Sequence, residues 1–103
     1  MFSAGAIVRG SLIVLAFLVS ACETAPPVQE MSDARQAIAV AREAGAENHA
    51  AAELRRAEAY LESAQAKLSR RAYAQARRDA LAAKSSAQNA LSMAERMRKQ
   101  SND

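Results

Sequence analysis

Beyond residue 21 the chain contains no phenylalanine and no tryptophan. The whole chain has a single cysteine, Cys22, a single histidine, His49, two adjacent prolines, Pro26 and Pro27, and three glycines. Each scarcity excludes something. One His and one Cys cannot assemble the nitrogen and sulfur ligands of a zinc centre. A Ser-His-Asp layout and a glycine-rich phosphate loop both lack parts or spacing. From residue 22 onward the apolar side chains larger than alanine are Val28, Met31, Ile38, Val40, Leu54, Tyr60, Leu61, Leu68, Tyr73, Leu81, Leu91, Met93 and Met97. So few cannot wall a ligand pocket, which takes roughly 300 Å³ or more of mainly apolar lining. The composition predicts a non-enzymatic protein with no cofactor and no metal site.

What the chain has in abundance is alanine, at 27 of 103 positions. It also has an N-terminus unlike the rest. Residues 1–9 carry one charged side chain, Arg9, and Gly10 to Cys22 read G-S-L-I-V-L-A-F-L-V-S-A-C without a charge. A membrane-spanning helix needs about 20 apolar residues. This run is too short, and a basic start, an apolar centre and small residues at the end describe a secretory signal. Residues 1–21 are therefore expected to be a cleaved signal peptide.

The end of that segment, Val19-Ser20-Ala21-Cys22, resembles the lipobox of bacterial lipoproteins. Small residues let the backbone enter a peptidase site at the membrane surface, and the cysteine sulfur is a nucleophile that can take a diacylglyceryl group. The resemblance implies cleavage before Cys22, with Val19, Ser20 and Ala21 as the recognition residues. It also implies a diacylglycerol thioether and an N-acyl chain such as palmitate on Cys22. Each buried CH₂ contributes about 0.8 kcal/mol, so three chains anchor firmly. The same resemblance makes Glu23 the sorting position. Aspartate there signals inner-membrane retention in enteric bacteria, so glutamate favours the periplasmic face of the outer membrane over the inner membrane. Residues 22–31, with their two prolines, read as the lipidated cysteine and an extended tether. At about 3.1 Å per residue, the nine after Cys22 would span roughly 28 Å.

Residues 32–100 read as an all-α domain: a short antiparallel helical hairpin or three-helix bundle, followed by a tail at 101–103. Asp33 with Gln36 forms a capping-box pattern, with Ser32 as the alternative cap. Ala34, Ala37, Ile38 and Ala41 then share one face of a helix over about 33–44, and Gly45 is its left-handed cap. Asn48 can cap a second helix over about 49–69, whose seam of Ala50, Leu54, Ala57, Leu61, Ala64 and Leu68 alternates four- and three-residue steps. A third helix spans about 72–98, with Tyr73, Ala76, Ala80, Ala83, Ala87, Ala90, Ala94 and Met97 on its seam. Nothing in Ser69-Arg70-Arg71 breaks a helix outright, so one long rod and a turn both fit the pattern.

Four segments taken together, A-R-E-A-G-A-E at 41–47, A-E-L-R-R-A at 52–57, A-K-L at 66–68 and A-Y-A-Q-A-R-R at 72–78, resemble a bacterial domain family of unknown function. That family is found in small lipoproteins and ahead of OmpA-like peptidoglycan-binding domains. The likeness covers about Ser32 to Ala90. It implies short antiparallel hairpins and selects the turn over the rod. Two positions depart from the family pattern: a proline is frequent near Ala51, and a Gly-Asp turn stands where this chain has Arg70-Arg71. The family supplies no catalytic residues. Residues 72–84 also look like a tetratricopeptide unit, but its large aromatic knobs are missing and too few repeats fit.

Charge divides along the chain. Residues 22–66 hold eight acids and four bases, a balance of −4, and residues 67–103 hold nine bases and three acids, a balance of +6. Antiparallel helices of opposite charge would complement each other. The functional counterpart is anion binding by Arg70, Arg71, Arg77, Arg78 and Lys84 on the third helix. Secretion and the scarcity of aromatics exclude nucleic acid as a partner. His49 reads as a helix-start or loop residue, and Tyr60 and Tyr73 as packing residues with exposed hydroxyls. A small helical domain with an alanine seam buries little surface and is marginal alone. The leading expectation is a lipid-anchored structural or adaptor module that associates with itself or with a helical periplasmic protein. The alternative is a module that holds peptidoglycan, anionic lipid or lipopolysaccharide through the basic third helix.

Overall fold

A computed structural model describes residues 25–102. Val19, Ser20, Ala21, Cys22 and Glu23 lie outside the described residues, as does the expected signal peptide at 1–21. The described residues are all-α: α1 at Val28–Glu43, α2 at Ala46–His49, α3 at Ala51–Ser69 and α4 at Tyr73–Asn102. Met31 of α1 packs with Ala64 of α3 and Ala80 of α4, while Ile38 and Ala41 pack with Leu54, Ala57, Ala87 and Ala90. This order makes α3 antiparallel to both α1 and α4. The result is an up-down-up bundle of three long helices, with α2 a single turn between the first two.

The first helix starts five residues earlier than the capping-box pattern implies. Val28 to Met31 are helical rather than extended tether, and the N-cap is Pro27, with no side-chain cap bond. Proline is well tolerated there, because the N–H it lacks would have no partner in the first turn. Met31 supplies the reason for the early start. It is 2 % exposed and continues the buried seam of Ala34, Ile38 and Ala41 by one step toward the N-terminus. Asp33, assigned as a cap from sequence, instead accepts a hydrogen bond from Gln29 Nε2 at 3.0 Å within the helix.

Gly45 has φ 91°, as expected of a left-handed cap, and its N–H reaches Arg42 O at 2.9 Å. Asn48 does not cap α3. It lies inside α2, and α3 follows Ala50, an N-cap with φ −149° and no side-chain bond. Arg70 and Arg71 form a true turn. Ala72 N–H bonds to Lys67 O at 2.9 Å and Arg71 N–H to Leu68 O at 3.0 Å. These are the two bonds of a Schellman motif, with Arg71 in its left-handed position at φ 61°. An L-residue there costs about 1–2 kcal/mol that glycine would not incur.

Fifteen hydrophobic residues among those described are buried, and twelve of them are alanines. The larger three are Met31, Ile38 and Leu54. A buried methyl contributes about 0.8 kcal/mol against about 1.5–3 kcal/mol for a large aliphatic side chain, so stability comes from close approach along a long seam. Helix α4 has 30 residues and α3 has 19. At 1.5 Å per residue these are about 45 Å and 28 Å, so α4 outruns its partners. Its last buried residue is Ala94, and everything from Glu95 to Asn102 is exposed. Met97, placed on the seam by periodicity, is 45 % exposed, because beyond Ala94 the helix passes the buried seam and only the short α2, through His49, borders it. The helix also absorbs Ser101 and Asn102, which were expected to be tail.

Candidate interaction surfaces

The entry of the chain and the α3–α4 turn lie at the same end of the bundle. Arg77, in the second turn of α4, donates from Nη2 to Ala25 O at 3.0 Å and from Nε to Glu30 Oε1 at 3.2 Å. Nearby, Ser63 Oγ and Lys67 Nζ, one helical turn apart on α3, both donate to Asp79 Oδ2 of α4 at 2.6 Å. Lys67 first, and Ser63 with it, hold the Asp79 carboxyl below its ordinary range by bonding to its charged form. One turn beyond Glu30, Asp33 Oδ2 lies 3.9 Å from Lys84 Nζ.

These contacts divide the set of five candidate anion-binding residues. Arg77 and Lys84 are not free cations: the acids of α1 neutralise them across the bundle. Arg70, Arg71 and Arg78 are exposed and make no ion pair among the described residues. Of the five candidates, the cations unpaired among the described residues are thus Arg70 and Arg71 in the turn and Arg78 in the second turn of α4, not a stripe of five along the helix. The long-range pairing was hidden because Glu30 belonged to the expected tether, and a flexible segment offers no fixed partner. The Ser63–Lys67–Asp79 group was also missed. Its trace in the sequence is Ser63 and Lys67 at i and i+4, with Asp79 the one acid within the stretch 67–94.

The far end is different. Met93 and Met97, one turn apart on α4, are both exposed, and with His49, Arg96 and Gln100 they border an open depression. His49 is half-buried in α2, and Arg42 links α1 to Glu58 of α3 at 2.8 Å. Tyr60 is exposed on α3 and Tyr73 half-buried at the start of α4. An open groove between α1 and α4 is lined by Asp33, Gln36, Ala37, Val40, Lys84, Gln88 and Leu91. Its one acid and one base are the Asp33–Lys84 pair.

Among the described residues no three His, Cys, Asp or Glu side chains are grouped to hold a metal. No described helix is long and apolar enough to cross a membrane. No curated protein and no solved structure matches the chain. One family model does, over residues 29–103, a span that takes in all of α2, α3 and α4 and nearly all of α1. By that match the chain belongs to the helical family described as Domain of unknown function (DUF4398).

Proposed function

We propose that this protein is a lipid-anchored lipoprotein of the bacterial envelope, facing the periplasm from the outer membrane, that works without catalysis by helix–helix association. The observation that carries the association is the projecting end of α4. From Glu95 to Asn102 a regular helix continues with every residue exposed, Met97 among them and exposed Met93 one turn before it. Isolated helical turns are marginal in water, and most helical stability comes from packing an apolar face. Methionine suits such a contact because its flexible, polarizable side chain adapts to irregular surfaces. The partner that fits is a second copy of this chain or another periplasmic helix.

The anchor reading rests on Val19-Ser20-Ala21-Cys22 and the apolar run before it. It is tested by mass spectrometry of protein from fractionated membranes. A mature N-terminus at Cys22 bearing acyl mass is expected, absent in Cys22→Ala. The association reading is tested with a photo-crosslinking residue at Met97 in cells, compared with one at exposed Ala52. Adducts specific to Met97 are expected. No adduct, or the same adducts from both positions, defeats the association reading.

A further inference from the structure

We infer that the Arg70–Arg71 turn, with Arg78 in the second turn of the helix that follows it, is a membrane-contact site that rests on the leaflet holding the anchor and binds the phosphates of anionic phospholipid headgroups. This rests on lipidation of Cys22 as proposed above. Charge alone does not choose the end of the bundle that faces the bilayer, because Arg96, Arg98 and Lys99 make the far end of α4 basic as well. Connectivity does choose. Arg77 ties the backbone of Ala25 to the turn end of α4 at 3.0 Å, and Ala25 is three residues from Cys22. Whatever its conformation, a stretch of that length spans no more than about 11 Å, at up to about 3.6 Å per residue. The turn end is therefore held near the headgroups, while the far end of α4 lies up to about 45 Å away.

The side chains at the turn end suit that position. Its acids are already engaged, Glu30 by Arg77 and Asp79 by Lys67 and Ser63. The next acid along α3, Glu62, is seven residues before Ser69, about 10 Å up the helix. Glu23 adds one carboxylate in the tether, against three arginines without an ion pair among the described residues. Guanidinium groups match phosphate oxygens in bidentate geometry. Arg71 occupies a left-handed position at φ 61° that glycine would fill without strain, so the turn keeps a cation at its apex against a backbone penalty. Tyr73, half-buried at the start of α4, has the amphipathic ring favoured at headgroup level.

The test uses the full-length lipidated protein in vesicles. Cys22 is the chain's single cysteine, and its sulfur is consumed by the thioether, so Ser69→Cys or Gln100→Cys provides a unique labelling site. Each variant carries a fluorophore in phosphatidylethanolamine–phosphatidylglycerol vesicles or in phosphatidylcholine vesicles, both containing a headgroup-attached quencher. The label at position 69 should be quenched several-fold more than that at 100 in phosphatidylglycerol vesicles. Arg70→Glu combined with Arg71→Gly should reduce the apposed population, each arginine counting for about fivefold. The glycine keeps the left-handed turn, and circular dichroism checks that the helices remain. Equal quenching at both positions overturns the inference, and so does quenching indifferent to phosphatidylglycerol and to the arginines. Retention on sacculi that depends on the same arginines, without vesicle quenching, overturns it in favour of peptidoglycan. Acyl mass on the same samples separates the two readings: its absence defeats the anchor, whereas an acylated protein with equal quenching defeats only the contact site.

Discussion

The two ends of the bundle are built from different physics. At the entry end, charged side chains join elements across the bundle: Arg77 holds Glu30 and the Ala25 carbonyl, while Lys67 and Ser63 converge on Asp79. Toward the far end the core is mostly alanine against alanine around Ile38 and Leu54, Arg42 pairs with Glu58 only at the exposed rim, and α4 then runs past the last buried seam position. The turns differ in the same way. Near the far end the chain reverses through Gly45 at φ 91°, and at the entry end through Arg71 at φ 61°. One end is specified by polar pairs and tolerates a strained arginine. The other depends on small residues and on glycine.

The largest effect should come from the alanine-lined region, where few large side chains are present. Leu54 is 3 % exposed, and Leu54→Ala should cost about 2–5 kcal/mol, read as a drop in denaturant midpoint with the helical signal. If the loss is under 1 kcal/mol, the alanine seam itself carries that end. Next is the polar clamp. Asp79→Asn should cost about 1–3 kcal/mol at neutral pH, because it removes a charge-assisted acceptor shared by Lys67 and Ser63. Asp79 is lowered from an ordinary value of 3.8, so its contribution is complete above that value and is lost as pH falls through the folded one. Thermal melts at pH 7 and pH 2 should therefore show the gap between wild type and variant closing in acid.

Two turn substitutions of opposite sign should follow. Gly45→Ala forces a side chain into the left-handed region, with its Cβ 3.4 Å from His49 Cδ2, and should destabilise by about 1–2 kcal/mol. Arg71→Gly relieves the same conformation and should stabilise by up to about 1 kcal/mol, offset in part by glycine's greater freedom when unfolded. Melting temperatures moving in the same direction would show that the turns are not equivalent in strain. The smallest effect belongs to the overhang. Met97→Ser should alter stability of the dilute protein by less than about 0.5 kcal/mol, since the residue is 45 % exposed and lies outside the buried core cluster.

Periodicity alone made the middle of each helix legible. The seams Ala34–Ile38–Ala41, Ala50–Leu54–Ala57–Ala64 and Ala76–Ala80–Ala83–Ala87–Ala90–Ala94 are buried as their spacing requires. Gly45 could be read as a cap because only its backbone freedom suits that position without strain. The ends were harder. Asp33 and Gln36 made a persuasive start, but local capping bonds are worth about 1 kcal/mol, and burying Met31 on the seam outweighs one. The candidate site was half legible for the same reason. The abundance of bases after residue 67 was plain, but which of them remained free depended on where α1 began.

The sequence by itself determined the all-α class, the alanine seam and the left-handed glycine, because these follow from spacing along one chain. It also contains the lipobox-like run that motivates the anchor. Only the tertiary structure decided which cations are neutralised and at which end of the bundle the chain enters α1. Arg77 and Glu30 are separated by 47 positions, and no local rule relates them. Their meeting depends on α1 lying parallel to α4 in one register, set by the packing of Met31, Ala64 and Ala80. The overhang has the same origin. Met97 continues a faultless heptad, but a periodic face is buried only where another helix is long enough to cover it.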